Sequence, residues 1–352
     1  MKNILKNKTI LITGGTGFLG VALIKEFLKH DPHSIRVFSR NEFRHYQVSE
    51  MFKDYKDKNN QPIIRNLIGD VRDYPRLLKA TKGADIVIHA AALKRIDMIE
   101  YNVEEAIKTN IFGSLNVIRA CLENNVEKSV FISTDKACSP INTYGACKFV
   151  SERIFTESNY NKGASKSIFT VVRYGNVLES TGSVIPFFVN KIKNNETIPL
   201  TDEKMTRFII AEKQAVDLIL KAIEFGVGGE IFIPKLLSMR IIDLINILKE
   251  KFNKKNNIKN IGLRPGEKIN ELMINDSEIS RTYEFKDFYV INSCIIKKYQ
   301  KYKNESTSAL IPTPVYITKG KPVNTSLIKE YNSKDSLISK EKLREVIDSL
   351  NL

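Results

Sequence analysis

In the first half of the chain, short runs of β-branched and apolar residues alternate with longer segments whose apolar positions recur at helical spacing. The runs at 9–13, 35–38, 63–68, 85–89, 129–133 and 169–173 predict strands. The segments at 18–29, 74–81, 103–124 and 144–158 predict helices. Strands alternating with helices predict right-handed βαβ units, hence an α/β fold with a doubly wound parallel sheet. After about residue 175 the pattern loosens, and Pro186, Pro199, Pro234, Pro265, Pro312, Pro314 and Pro322 punctuate it. A smaller C-terminal region packed against the sheet is expected there, closing with a helix near 340–350.

Composition narrows the class. The 352 residues are 42% hydrophobic and 27% charged, a soluble globular mix that excludes a disordered or collagen-like chain. The longest near-continuous apolar run, 86–93, is far short of the roughly 20 residues a membrane-spanning helix needs. The first residues carry no apolar stretch ending in a cleavage site, so a cytoplasmic protein with no membrane partner is expected. The formal charge is +15, but the excess is spread along the chain. Such a mild field suits an anionic small molecule better than nucleic acid. Cys121, Cys138, Cys147 and Cys294 form no CxxC pair, and the four histidines are scattered. No metal site is expected, and the cysteines read as reduced thiols.

The first predicted strand runs straight into Gly-Gly-Thr-Gly-Phe-Leu-Gly. Gly14, Gly17 and Gly20 are spaced three apart. Alone, that spacing also fits a structural turn. Between a strand and an amphipathic helix it predicts a dinucleotide loop, with backbone amides and a helix N-terminus facing a pyrophosphate. An NAD site would place an acidic residue about 20 residues on, to hold the ribose 2′-hydroxyl. Here the second strand ends in Ser39-Arg40-Asn41-Glu42-Phe43-Arg44, which favours a 2′-phosphate and so NADP, with Glu42 as the reservation. Asp70 and Val71 follow the third strand, where a carboxylate could hold adenine. Ala90 follows His89 at the end of the fourth, leaving room for the cofactor. His89 reads as a packed or hydrogen-bonded histidine more readily than as a base.

Thr134-Asp135-Lys136 ends the fifth predicted strand, and Tyr144 and Lys148 follow, four apart on a helix. Residues four apart share a face. The lysine is expected to favour the phenolate and make Tyr144 a usable base. Asp135-Lys136 by itself is also compatible with an exposed ion pair.

The sum of these features resembles the extended short-chain dehydrogenase/reductase superfamily, with its Rossmann-like sheet. The stretches TGGTGFLG, GDVRD, HAAALK, KTNIFG, STDKA, PINTYGACK, VVRYGNV, GSVIPFF, MTRF and RPGEK narrow it further. They look like the inverting UDP-N-acetylglucosamine 4,6-dehydratases of pseudaminic acid synthesis, over about residues 5–292 and weakly around 330–333. The related 4,6-dehydratase/5-epimerases of capsule sugars have Met where this chain has Tyr144.

The resemblance implies that Thr16, Gly17, Phe18 and Leu19 lie on the pyrophosphate of the cofactor, and residues 39–44 around the adenosine phosphate. It places Thr134, Asp135, Tyr144 and Lys148 near the nicotinamide, and Val177 on the cofactor. Lys94 would reach the substrate, Asn176 its pyrophosphate, and Ile185, Arg207, Arg264 and Glu267 the UDP group. It divides the chain into an NADP-binding region (1–175), a substrate region (176–292) and a C-terminal extension (293–352). It also implies a homo-oligomer, a hexamer or smaller.

The reaction so implied oxidises C4 transiently. Tyr144 takes the O4 proton, Lys136 the C5 proton, and Asp135 protonates the departing C6 hydroxyl. The product would be UDP-2-acetamido-2,6-dideoxy-β-L-arabino-hex-4-ulose. A lysine base must be neutral and an aspartic acid protonated, so both pKa values are expected to move toward each other. Arg173 joins Arg207 and Arg264 as candidate anion hooks. A nucleotide-sugar 4-epimerase is the neighbouring chemistry, which needs no C6 leaving-group acid. A non-catalytic NADP sensor on the same fold is the reading from another class.

Overall fold

The computed structural model describes residues 3–178, 184–295, 320–326, 328–350 and 352. Pro312, Pro314, and Gly182 and Ser183 of the GSVIPFF stretch lie outside the described residues. The first half holds six strands: β1 Thr9–Thr13, β2 Ser34–Ser39, β3 Ile64–Ile68, β4 Ile86–His89, β5 Lys128–Thr134 and β6 Ile168–Tyr174. Its helices are α1 Phe18–Phe27, α2 Glu42–Met51, α3 Tyr74–Thr81, α4 Ile96–Tyr101, α5 Val103–Ala106, α6 Gly113–Glu123 and α7 Thr143–Glu157.

In the second half come β7 Asn176–Val177, α8 Val184–Lys193, β8 Ile198–Leu200, β9 Thr206–Ile210, α9 Glu212–Phe225 and β10 Ile231–Pro234. They are followed by β11 Leu237–Arg240, α10 Ile241–Lys251, β12 Ile258–Asn260, β13 Leu272–Ile274, α11 Asp276–Ile279, β14 Thr282–Glu284 and β15 Phe288–Ile291. The tail supplies β16 Lys321–Pro322, β17 Tyr331–Asn332 and α12 Lys340–Asp348.

All six predicted strands form, and the main sheet runs β16-β14-β15-β10-β6-β5-β4-β1-β2-β3. From β3 to β10 the pairing is parallel, and β15, β14 and β16 close that edge antiparallel. The order β3-β2-β1-β4-β5-β6 is the doubly wound arrangement, whose crevice lies beyond the carboxyl ends of the strands. Strands covered on both faces are largely apolar, and β1 is buried at every position, with Ile10, Leu11 and Ile12 at its centre. The sheet takes strands from either side of residue 175, so one core spans both halves. A second core under α8 and α10 includes Leu343 and Ile347 of α12.

Three local expectations change. Helix α2 was not predicted, because its only buried residues are His45 and Val48 and it shows no apolar stripe. The predicted helix 103–124 is interrupted by a π-helical stretch, Ile107–Phe112, between α5 and α6. The predicted helix 18–29 is α-helical only to Phe27 and ends in a 3₁₀ turn. Among the described residues, no helix is long and apolar enough to cross a membrane.

Candidate active site

A cleft of about 1290 Å³ opens at the carboxyl ends of the parallel strands. Its floor is the loop between β1 and α1. Gly14 sits at φ +70°, and a Cβ there would lie 2.9 Å from the Ala91 backbone, so the loop and the β4 exit approach as only glycine permits. The N-terminus of α1 has no side-chain cap and no acidic residue in its first turn. Uncapped amides with a positive dipole end suit an anion.

Along one wall run Ser39, Arg40, Asn41, Arg44, Asp70 and Val71. Ser39 is fixed by Thr16 (Oγ to Oγ, 2.8 Å) and by His45 Nε2 at 3.0 Å, a residue the sequence had not singled out. Arg40 lies 3.7 Å from Asp70 and is 55% exposed, while Arg72 binds the same carboxylate at 2.7 Å. Glu42 and Phe43 are exposed on α2 and do not line the cleft.

The opposite end brings together Thr134, Lys136, Tyr144, Lys148, Asn176, Val177, Lys94, Arg264 and Glu267, separated by up to 173 positions in sequence. A short turn after β5 carries Asp135 and Lys136. Helix α7 carries Tyr144 and Lys148, with its N-terminus capped by Asn142, whose Oδ1 accepts from Gly145 N at 2.7 Å. Asn142 Nδ2 also donates to Gly266 O at 2.8 Å, tying down the loop that bears Arg264 and Glu267. A Cβ at residue 145 would lie 2.2 Å from Lys136 O, so Gly145 lets α7 abut the turn that carries Asp135 and Lys136. Ala90 lines the cleft. Ile185 lies instead in the second core, and Arg207 stands behind the wall on Thr206 O and Ile269 O.

The charges differ from the expected arrangement. Lys136 Nζ donates to Asp135 Oδ1 at 2.9 Å and lies 3.5 Å from Glu271 Oε1. Burial alone would lower the ammonium pKa, but the two carboxylates overcome it and hold the group above the usual lysine range. Thr134 Oγ1 donates to Asp135 Oδ1 at 2.8 Å. Burial pushes Tyr144 up to about 12, opposed first by Lys136. Lys148 does not lower it: its Nζ donates to Ile132 O at 2.7 Å, and burial takes this lysine down to about 7.

His89 is fully buried between Thr13 Oγ1 at 2.7 Å and Ser114 Oγ at 3.0 Å. Burial, with Lys148 nearby, lowers it to about 3. It is a packed, neutral histidine. Arg173 is no anion hook. It is buried, with its donors on Glu152, Glu278 and Met273 O. The cysteines stand free.

Sequence reading missed Glu271, because a glutamate seven residues after Arg264 has no pattern of its own. Tyr174 and Ser133, which also line the cleft, were hidden among strand residues.

Residues 10–293 match the family described as Polysaccharide biosynthesis protein. The chain belongs to that family. It is 45% identical over 290 residues to a Campylobacter jejuni UDP-N-acetylglucosamine 4,6-dehydratase (inverting), covering 82% of this chain and 84% of that one. A Rickettsia bellii UDP-glucose 4-epimerase is 42% identical over 289 residues, 81% of this chain and 83% of its own. The solved structure of Pen from Bacillus thuringiensis superposes with a TM-score of 0.86 at 37% identity, over 99% of each chain. The family is a branch of the extended short-chain dehydrogenase/reductases, whose Rossmann-type sheet is the one described above.

Proposed function

We propose that the protein is a UDP-N-acetylglucosamine 4,6-dehydratase that inverts C5, using a tightly held NADP. The carrying observation is Lys136 beside Tyr144 in one cleft, with Lys136 Nζ 2.9 Å from the carboxylate of Asp135, buried just behind the cleft wall. A 4-epimerase has use for Tyr144 but none for an acid and a base at C6 and C5. The close similarity to the C. jejuni dehydratase supports the same reading.

The Gly14 cradle and the uncapped start of α1 fit a dinucleotide pyrophosphate, held by Thr16, Gly17, Phe18 and Leu19. Ser39, Arg40 and Arg44 present donors for a 2′-phosphate, which supports NADP over NAD. When bound, the nicotinamide supplies hydride exchange, from C4 and back to C6. Tyr144 takes the O4 proton. Its pKa of about 12 must fall on binding, and a cationic ring beside the phenol favours that.

Lys136 and Asp135 are one proton transfer from the states required. The Lys136 N–H bond breaks and an Asp135 O–H bond forms, leaving an amine and a carboxylic acid with no change in total charge. Lys136 then removes the C5 proton, and Asp135 gives its proton to the leaving C6 hydroxyl. The original ion pair is restored. Proton-transfer groups of this kind are each worth about 10²–10⁴ in rate.

In this reading Lys94, Asn176, Arg264 and Glu267 hold the UDP-sugar, and residues 1–175 and 176–292 supply mainly cofactor and substrate contacts. The protein works in the cytoplasm as a homo-oligomer, and its product feeds pseudaminic acid or related surface-glycan synthesis.

The test is proton NMR of UDP-N-acetylglucosamine with the purified protein in D₂O. A 4-keto-6-deoxy product carrying deuterium at an inverted C5 is expected. Retained C5 configuration would reject inversion, and UDP-N-acetylgalactosamine would point to the epimerase.

A further inference from the structure

We propose that Glu271 is a positioning residue for Lys136, held in place by Ser333 of the C-terminal segment. The inference rests on the reading of Lys136 as the C5 base.

Glu271 is 2% exposed. Its Oε1 lies 3.5 Å from Lys136 Nζ and 3.8 Å from Arg207 Nε, and its Oε2 is buried with no hydrogen-bond partner. A buried carboxylate with an unused oxygen is costly, and packing alone would be served better by an apolar side chain. Such a group calls for an explanation in function.

The geometry supplies one. An ammonium has three N–H donors. Lys136 Nζ has three acceptors around it: Asp135 Oδ1 at 2.9 Å, Asn176 Oδ1 at 3.5 Å and Glu271 Oε1 at 3.5 Å. When the proton on the Asp135 side moves to Asp135, Nζ still donates to Asn176 Oδ1 and faces the Glu271 carboxylate. The lone pair it leaves lies on the Asp135 side, so these two contacts fix where the base stands. Glu271 thus positions the base, and its charge keeps Lys136 protonated until that transfer. The charged and titratable groups facing Lys136 are Asp135 on its own turn, Tyr144 on α7, Arg207 on β9, and Glu271.

The tail holds the backbone that carries this carboxylate. Glu271 N donates to Ser333 Oγ at 2.9 Å, and Ser333 N donates to Glu271 O at 2.9 Å. The same hydroxyl meets Thr206 Oγ1 at 2.6 Å, one residue before Arg207. Strand β17 pairs with β13 just beyond Glu271, so these bonds belong to a small sheet. One buried serine therefore ties the backbone of Glu271 to Thr206, the neighbour of Arg207. At this point the C-terminal extension gives the base structural support.

The experiment compares wild type, Glu271→Gln, Glu271→Asp and Ser333→Ala. The first readout is the Lys136 ammonium signal in lysine-¹⁵N-labelled protein, assigned by its absence in Lys136→Met. A carboxylate raises a nearby lysine, so its neutralisation lowers it. In Glu271→Gln the ammonium signal is expected to disappear about one pH unit earlier than in wild type, and Glu271→Asp is expected to restore most of the difference. The second readout is kinetic. Glu271→Gln is expected to lower kcat roughly tenfold with KM within about twofold, and to move the acidic limb of C5 deuterium exchange down by the same unit. Ser333→Ala keeps the charge but loosens it, so kcat is expected to fall about threefold with the limb unmoved.

An unshifted ammonium titration in Glu271→Gln, or a loss confined to KM, overturns the inference. If Glu271→Gln does not fold, wild-type kcat in Ser333→Ala overturns it. Absence of C5 exchange in the wild type would sink the proposed reaction instead, and the ammonium titration would still decide the place of Glu271.

Discussion

Two groups in this molecule have the same composition, one cation between two carboxylates, and opposite finish. In the first, Arg173 lies between Glu152 and Glu278. All five of its N–H donors are used, at 2.6–3.0 Å, with the fifth on Met273 O. In the second, Lys136 lies between Asp135 and Glu271, and Asp135 Oδ2 and Glu271 Oε2 are left without partners. The side chains of the first are at most 1% exposed, whereas Lys136 is 19% exposed at the cleft.

A rigid guanidinium fork that matches two carboxylates leaves no proton to move. A lysine with spare acceptors around it can give one up. The two groups also share their carriers. Helix α7 bears Tyr144, Lys148 and Glu152; the β6–β7 segment bears Arg173 and Asn176; the 271–278 segment bears Glu271 and Glu278. The finished group staples together the segments that deliver the unfinished one.

The comparison can be broken at its reactive end first. Lys136→Met is expected to lower dehydration by about 10²–10⁴ and to abolish C5 exchange, with the protein still folded by its melting transition. Persisting C5 deuterium incorporation would remove Lys136 from the role of base. At the structural end, Arg173→Met leaves Glu152 and Glu278 buried without the guanidinium that binds both, with only Arg281 still 3.8 Å from Glu278. It is expected to cost about 3–5 kcal/mol of stability, read from urea unfolding. A loss under 1 kcal/mol would mean the staple is idle.

Acid titration separates the two groups further. The Arg173 guanidinium overcomes the effect of burial and holds Glu278 down at about 2, against an ordinary 4.5. A depressed carboxylate stabilises the fold fully above its unfolded value and loses that contribution as pH falls from about 4.5 toward 2. The urea midpoint of wild type should therefore drop across this window by more than that of Glu278→Gln. Parallel curves would refute the link. The smallest expected effect is at Asn142, which caps α7 and ties it to Gly266. Asn142→Ala is expected to cost about 1–2 kcal/mol and to lower kcat only a few-fold, checked by melting and by assay.

Much of the site was legible because its chemistry is local. The glycine loop needs its residues consecutive, and Tyr144 and Lys148 need one helix face. All six strands of the first half were legible because each carries a short cluster of β-branched and apolar residues that the sheet covers, even where a polar residue such as Arg36 or Arg173 interrupts it. Helix α2 was not, since it buries little and leaves no stripe. The roles of Arg173 and Lys148 were also misjudged, because a partner chosen in three dimensions leaves no trace in spacing. Arg173 took Glu278, 105 positions away, and Lys148 took the Ile132 carbonyl in place of Tyr144.

By itself the sequence determined the alternating α/β pattern, the glycine loop and the short motifs that carry Asp135, Lys136 and Tyr144. Each is set by period, backbone freedom or residue type within a few positions. Only the tertiary structure decided which of the buried cations are spent on the fold and which is left able to react. That depends on how many acceptors surround each nitrogen, and those acceptors arrive from strands and loops far apart in the chain.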